Sequence, residues 1–143
     1  MSVLANRIAA VLWFIWGAVH LLAGILTVSQ DTPQAIAGIA DAVDPATLAL
    51  EYAPAVGAII NQHGFNLGWI GITTLLCVPF VWTGRREAVF LAALVGGLAD
   101  VGYFLFLDLG GHVHFVPGTI MTLVSGSAVL LSFGSAWATR NQA

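Results

Sequence analysis

The stretch IAAVLWFIWGAVHLLAGILTV, residues 8–28, decides the fold. Arg7 stands immediately before it, and within it only His20 can carry a charge. At ~1.5 Å of rise per residue it is long enough, as a helix, to cross a ~30 Å hydrocarbon core. It is too long for the apolar region of a secretory signal, and no small-residue cleavage site follows it. The expectation is a retained first membrane-spanning helix.

Three more stretches have the same character, at about residues 65–82, 88–107 and 116–137. The composition of the whole chain agrees. Of its 143 residues, 59% are hydrophobic and 8% are charged, where a water-soluble domain carries about 25% charged residues. Mean hydropathy is +0.93. A chain this short cannot hide so much apolar surface from water, because small domains leave much of their surface exposed. Backbone groups in hydrocarbon must pair within their own segment, so the four stretches should be helices. The expected fold is all-α: one transmembrane domain over residues 1–143, an integral membrane four-helix bundle, with short helices in the long outer loop 29–64.

Orientation follows from the arginines. The chain has no lysine, and Arg7, Arg85, Arg86 and Arg140 fall before the first span, between the second and third, and after the fourth. With four spans those places share one side, which the positive-inside rule makes cytoplasmic. Trp82 and Trp137 end their spans at that interface. A multi-pass protein of a plasma (inner) membrane, with both termini in the cytoplasm, is expected. The net charge of −3 comes without any basic patch and argues against a nucleic-acid partner.

In the outer loop, Thr32-Pro33 and Asp44-Pro45 read as helix starts, each a capping residue followed by proline. Helices over 34–43 and 46–60 are expected, the second kinked by Pro54. Together they would form a lid, and a gate if a pocket lies beneath.

Polar and small residues recur at helical spacing in every span. The stripes are Trp13, Gly17, His20, Gly24 and Thr27; His63, Asn66, Ile70, Thr73 and Cys77; Ala93, Gly96, Asp100 and Tyr103; and Gly118, Thr122, Ser125 and Val129. Small residues let helices approach in lipid, so the stripes should face the bundle axis. Most of these residues read as packing, and Cys77 as a small buried hydrophobe. His20 and Asp100 differ, because an ionisable group within a span is a functional candidate by default. Both sit about 18 Å above the inner boundary by helical rise, so they should pair as the catalytic or proton-handling centre. Trp16, Asn66, Trp69 and Tyr103 are the candidate pocket and cofactor-binding walls around it.

The remaining histidines gather at the outer mouth. His112 and His114 follow Gly110-Gly111, and His63 is expected where the second span begins. In an extended segment, residues two apart point the same way, so His112 and His114 could address one ion. With Asp108 and Glu51 nearby, the five residues suit a transition metal such as zinc, copper or iron, and a haem would suit the separation between His20 and a mouth histidine. Phosphate-binding loops, nucleophile elbows, His-Glu-x-x-His helices and Cys-x-x-Cys pairs do not occur in the sequence.

Two functional expectations compete. One is a metal or haem protein, open to the outer face, carrying out redox or metal-assisted chemistry on a small or lipophilic molecule. The other is a proton-coupled carrier built on His20 and Asp100. A third possibility is an accessory subunit of a membrane complex. The expected partners are the lipid bilayer, a small or lipophilic ligand, and either a second copy or a membrane partner subunit.

Overall fold

In the computed structural model, residues 2–140 are described. Among them, four helices are long and apolar enough to cross a membrane: Val3–Ser29, Pro54–Trp82, Arg86–Asp108 and Phe115–Ser135. Helix continues through the last of these to Arg140. The side chain of Arg140 and the residues beyond it lie outside the described residues, as does the expectation that placed them beside the other arginines.

The packing is that of a protein dissolved in lipid. Ala9, Ala10, Ala92 and Ala128 are fully covered, while Phe106, Leu130 and Leu76 are 76%, 75% and 66% exposed. Water would penalise that arrangement, because large side chains are the ones whose burial it rewards. Lipid tails are as apolar as leucine, so burial selects what packs closely instead. The chain is an all-helical, multi-pass membrane protein, a four-helix bundle with short helices in the loop after the first span.

Glycines set the closest contact. The first and second spans meet so tightly that a Cβ on Gly24 would lie 2.5 Å from the Gly68 nitrogen and 2.6 Å from the Gly64 oxygen. A Cβ on Gly71 would lie 2.6 Å from the Leu21 nitrogen. The second span therefore buries Gly64, Gly71, Thr74, Cys77 and Val81. This corrects the expected stripe, which shared only Cys77 with that face. Polarity suggested one face, and the need for bare backbone at the contact selected its neighbour.

The third span stands away from the first, and two indoles fill the space between them. Trp13 and Trp16 are fully buried and meet edge to face, with ring centroids 6.0 Å apart. Gly96 receives them: a Cβ there would lie 2.7 Å from the Trp13 ring. Trp13 also donates from Nε1 to the Ser132 hydroxyl of the fourth span at 3.3 Å. The third span is not a regular α-helix throughout. Wider π turns at Ala93–Gly97 and Phe104–Asp108 bracket the α-helical segment Leu98–Tyr103. Such turns occur often at functional sites.

The outer loop differs from expectation in two ways. Its first helix is Thr32–Ile39, capped by Asp31 rather than Thr32, through a 3.0 Å bond from the Gln34 amide. The expected helix over 46–60 is two elements. A single turn, Pro45–Leu48, is capped by Asp44, and the residues from Pro54 onward belong to the second span. Pro54 starts that helix instead of kinking one, since a proline in the first turn forfeits no hydrogen bond. At the basic end, Gly84 makes the turn between the second and third spans at φ 77°, a conformation other residues rarely adopt.

The loop helices are tied to the opposite outer loop. The Asp41 carboxylate accepts from the His114 backbone amide, and the Ala42 amide donates to the His112 carbonyl at 3.0 Å. Replacing Asp41 by Ala should free this lid, with amide exchange over residues 32–48 at least roughly tenfold faster, the loss of one charge-assisted hydrogen bond. Protection within the spans should not change. Equal exchange across the lid in both proteins would show that Asp41 does not hold it.

Candidate functional site

The bundle brings His20 and Asp100 together. His20 Nε2 lies 3.7 Å from Asp100 Oδ1, and the two side chains are 12% and 5% exposed. Trp16, one turn before His20, joins both. Its indole N–H donates to Asp100 Oδ2 at 2.8 Å, and its ring stacks on the imidazole with centroids 3.6 Å apart.

The histidine is held in one protonation geometry. Nδ1 lies 2.9 Å from the Trp16 carbonyl oxygen, an acceptor, so Nδ1 carries the hydrogen and donates it. In neutral His20 the free lone pair is then on Nε2, the atom facing the carboxylate. At 3.7 Å the two groups are within ion-pair range but beyond hydrogen-bond length. A closing movement of about 0.8 Å would allow direct proton transfer. The stacked indole also offers a positive imidazolium a favourable aromatic face.

Two further contacts extend the centre. Ser125 of the fourth span lies beside the Asp100 carboxylate, and its hydroxyl donates to the Thr122 carbonyl at 3.1 Å. His63 lies within electrostatic reach of His20, on the side of the lid. It stands well inside the second helix, which begins at Pro54, rather than at the helix start expected for it. Asp100 and His20 form the buried pair, and His63, an exposed residue of the second span, stands nearer the lidded end.

The expected metal set is not brought together. Among the described residues, no group of three or more His, Cys, Asp or Glu side chains could hold a metal ion. His112 and His114 are exposed in the loop, and Glu51 is exposed before Pro54. Asp108 has another role: both its oxygens accept hydrogen bonds, one from Thr119 and the other from Thr122 at 3.0 Å. It fastens the lidded end of the third span to the start of the fourth. These residues do not form a shared metal site, because the His-x-His segment is held by its backbone to the lid while its side chains are exposed.

The candidate walls divide. Trp16 is central, whereas Trp69 is 44% exposed and donates to Asn66 at 3.1 Å, so that pair lies at the bundle's edge. Tyr103 is half-buried, and its hydroxyl crowds Gly118, where a Cβ would lie 2.5 Å away. Ser125, Ser132 and Asp41 are the residues whose roles the sequence did not disclose. The two serines lie on a helical stripe of small residues, which resembles ordinary packing. Asp41 gives no signal at all.

The fold and this centre define a class: a four-span membrane protein with a buried imidazole–carboxylate–indole triad. No family model matches the chain, and comparisons with curated proteins and with solved structures found no match.

Proposed function

We propose that this protein is a proton-coupled membrane carrier in which Asp100 and His20 hold and exchange a proton at mid-span. The observation that carries this reading is the buried pair at 3.7 Å, with the free lone pair of His20 facing the carboxylate. An ionisable pair in hydrocarbon is expensive to keep for packing alone, and proton relays are one of its established uses. The pair has two neutral arrangements, Asp100 protonated beside neutral His20, or carboxylate beside imidazolium. One proton moving between Oδ1 and Nε2 converts them. His63 offers the next site toward the lidded end, and the cargo is a small or lipophilic molecule. Trp16 orients both partners, through its N–H to one and its carbonyl oxygen to the other.

The test is infrared difference spectroscopy of the full chain in lipid, titrated with pH. A protonated-carboxyl band should appear and vanish with titration, and should be missing in Asp100→Asn. A carboxyl band that ignores pH, or one that survives in Asp100→Asn, would overturn the assignment.

The same reading places the lidded end outside the cell and the termini in the cytoplasm of a plasma (inner) membrane. Arg7 lies over the Trp82 ring at 5.4 Å, so the basic residues before the first span and after the second share one end of the bundle. Cysteines introduced at Glu51 and at Thr83, both exposed, check this. A membrane-impermeant thiol reagent should label position 51 in intact cells and position 83 only after permeabilisation. The reverse pattern would invert the topology.

A further inference from the structure

The third and fourth spans leave between them a groove of about 570 Å³ on the lipid-facing side of the bundle. That volume falls within the ~300–1,000 Å³ range of small-molecule sites. Its walls include Phe90, Phe104, Phe133 and Leu130, and its polar lining is Asp100, Thr122 and Ser125. Asp100 therefore has two neighbourhoods: the His20–Trp16 side within the bundle, and a groove reachable from the membrane.

We propose that this groove binds a lipophilic cation, which exchanges with the proton on Asp100. This rests on the proton-exchange reading of Asp100 and names its substrate class. Charge complementarity selects the sign. All four arginines are at span ends or beyond them and there is no lysine, so Asp100 is, among the described residues, the one ionisable residue lining the groove. A cation in a low-dielectric site beside a carboxylate is strongly favoured, and an anion is repelled. The aromatic walls agree, since ring faces attract cations and their bodies solvate an apolar ligand. Phe90 and Phe133 already meet edge to face at 5.1 Å, which holds two of those rings in place. The exchange balances. Protonated Asp100 plus the cation gives the carboxylate–cation pair plus one proton, which passes to His20 Nε2 and on toward His63. Entry from the bilayer suits the apolar body of the ligand, because no water-filled path is needed to reach the groove.

The experiment measures binding of tetraphenylphosphonium to the purified full chain in lipid nanodiscs, with tetraphenylborate as an anion of the same shape. Saturable binding of the cation, at least roughly tenfold tighter than the anion and weakened by acid, is expected. Asp100→Asn should lose that preference. Gly126→Phe supplies an independent variant, because Gly126 lines the groove and a Cβ there meets nothing within 4 Å. It should fill the groove and weaken cation binding at least tenfold while leaving the infrared titration of Asp100 intact. Equal binding of the two ions, or cation binding unchanged in Gly126→Phe, would overturn the proposal. So would a dimer that dissociates in Gly126→Phe without any cation binding, since a second copy would then occupy the groove. If Asp100 titrates while the cation fails to bind, only the substrate class falls. If Asp100 does not titrate, the carrier reading falls with it.

Discussion

Gly24→Ala should destabilise the bundle severely, and Gly24→Leu should prevent it from forming. A single added methyl would lie 2.5 Å from the Gly68 nitrogen, 2.6 Å from the Gly64 oxygen and 2.8 Å from the Gly68 Cα. All three obstacles are backbone, so no rotamer change relieves them. The first and second spans would have to separate, and the bare-backbone contact that joins them would open. Overpacking a close contact costs about 1–3 kcal/mol, and a backbone clash lies at the upper end of that range. Gly68→Ala is the control. It is on the same interface, yet its own Cβ would meet nothing within 4 Å. The added methyl should be neutral or stabilise the helix by up to about 1 kcal/mol. Unfolding in mixed detergent micelles measures both. If Gly24→Ala and Gly68→Ala unfold alike, close glycine contact is not what joins these spans.

Trp16→Ala should have the second large effect, because one indole serves three purposes. It fills space between the first and third spans, donates to Asp100 and stacks on His20. Deleting a fully buried tryptophan from a core costs about 3–5 kcal/mol. In lipid the transfer part of that figure shrinks, since an unfolded side chain remains in an apolar medium, but the lost packing remains. A loss of about 3 kcal/mol is expected, with the third span loosened more than the second. Trp16→Phe separates the roles. It keeps a ring against His20 but removes the N–H and the second ring, so the loss should be about 2 kcal/mol, one hydrogen bond plus a partial cavity. The Asp100 carboxyl band should still titrate but at a changed frequency, because one oxygen has lost its donor. Unchanged stability in Trp16→Ala would mean that the third span is held by other contacts.

The two predictions differ in how far the sequence anticipates them. His20, one turn beyond Trp16, and Asp100 could be matched in advance by depth, because helical rise converts position in a span into height. Gly24 could not be ranked above Gly68, although both lie on the same pair of helices. The choice depends on which glycine's Cβ direction points into the neighbour, and this is a property of the helix crossing. The shift of the buried face in the second span, from His63, Asn66, Ile70 and Thr73 to Gly64, Gly71 and Thr74, has the same origin. In water, hydropathy would have identified the buried face. In lipid both faces are apolar, and steric fit decides.

The mouth histidines illustrate the reverse problem. Alternation along an extended segment is the ground for expecting His112 and His114 on one side, a local property that spacing conveys. Where that side points depends on Asp41, some seventy residues earlier in the chain, which takes the His114 amide. Asp108 was likewise recognisable as a carboxylate near the membrane edge. That Thr119 and Thr122 would occupy its oxygens follows only from how the fourth span returns beside the third.

By itself, then, the sequence determined the number of spans, that Arg7, Arg85 and Arg86 share one end, and that His20 and Asp100 lie level with each other. Each is one-dimensional: hydrophobic length must match a bilayer, charge must stay out of hydrocarbon, and rise per residue is constant. Tertiary structure alone decided which faces touch, that Trp16 would join the His–Asp pair, and that a groove would open beside Asp100. Those outcomes depend on Cβ directions and crossing geometry between segments far apart in the chain, and in a lipid solvent hydropathy carries no information about either.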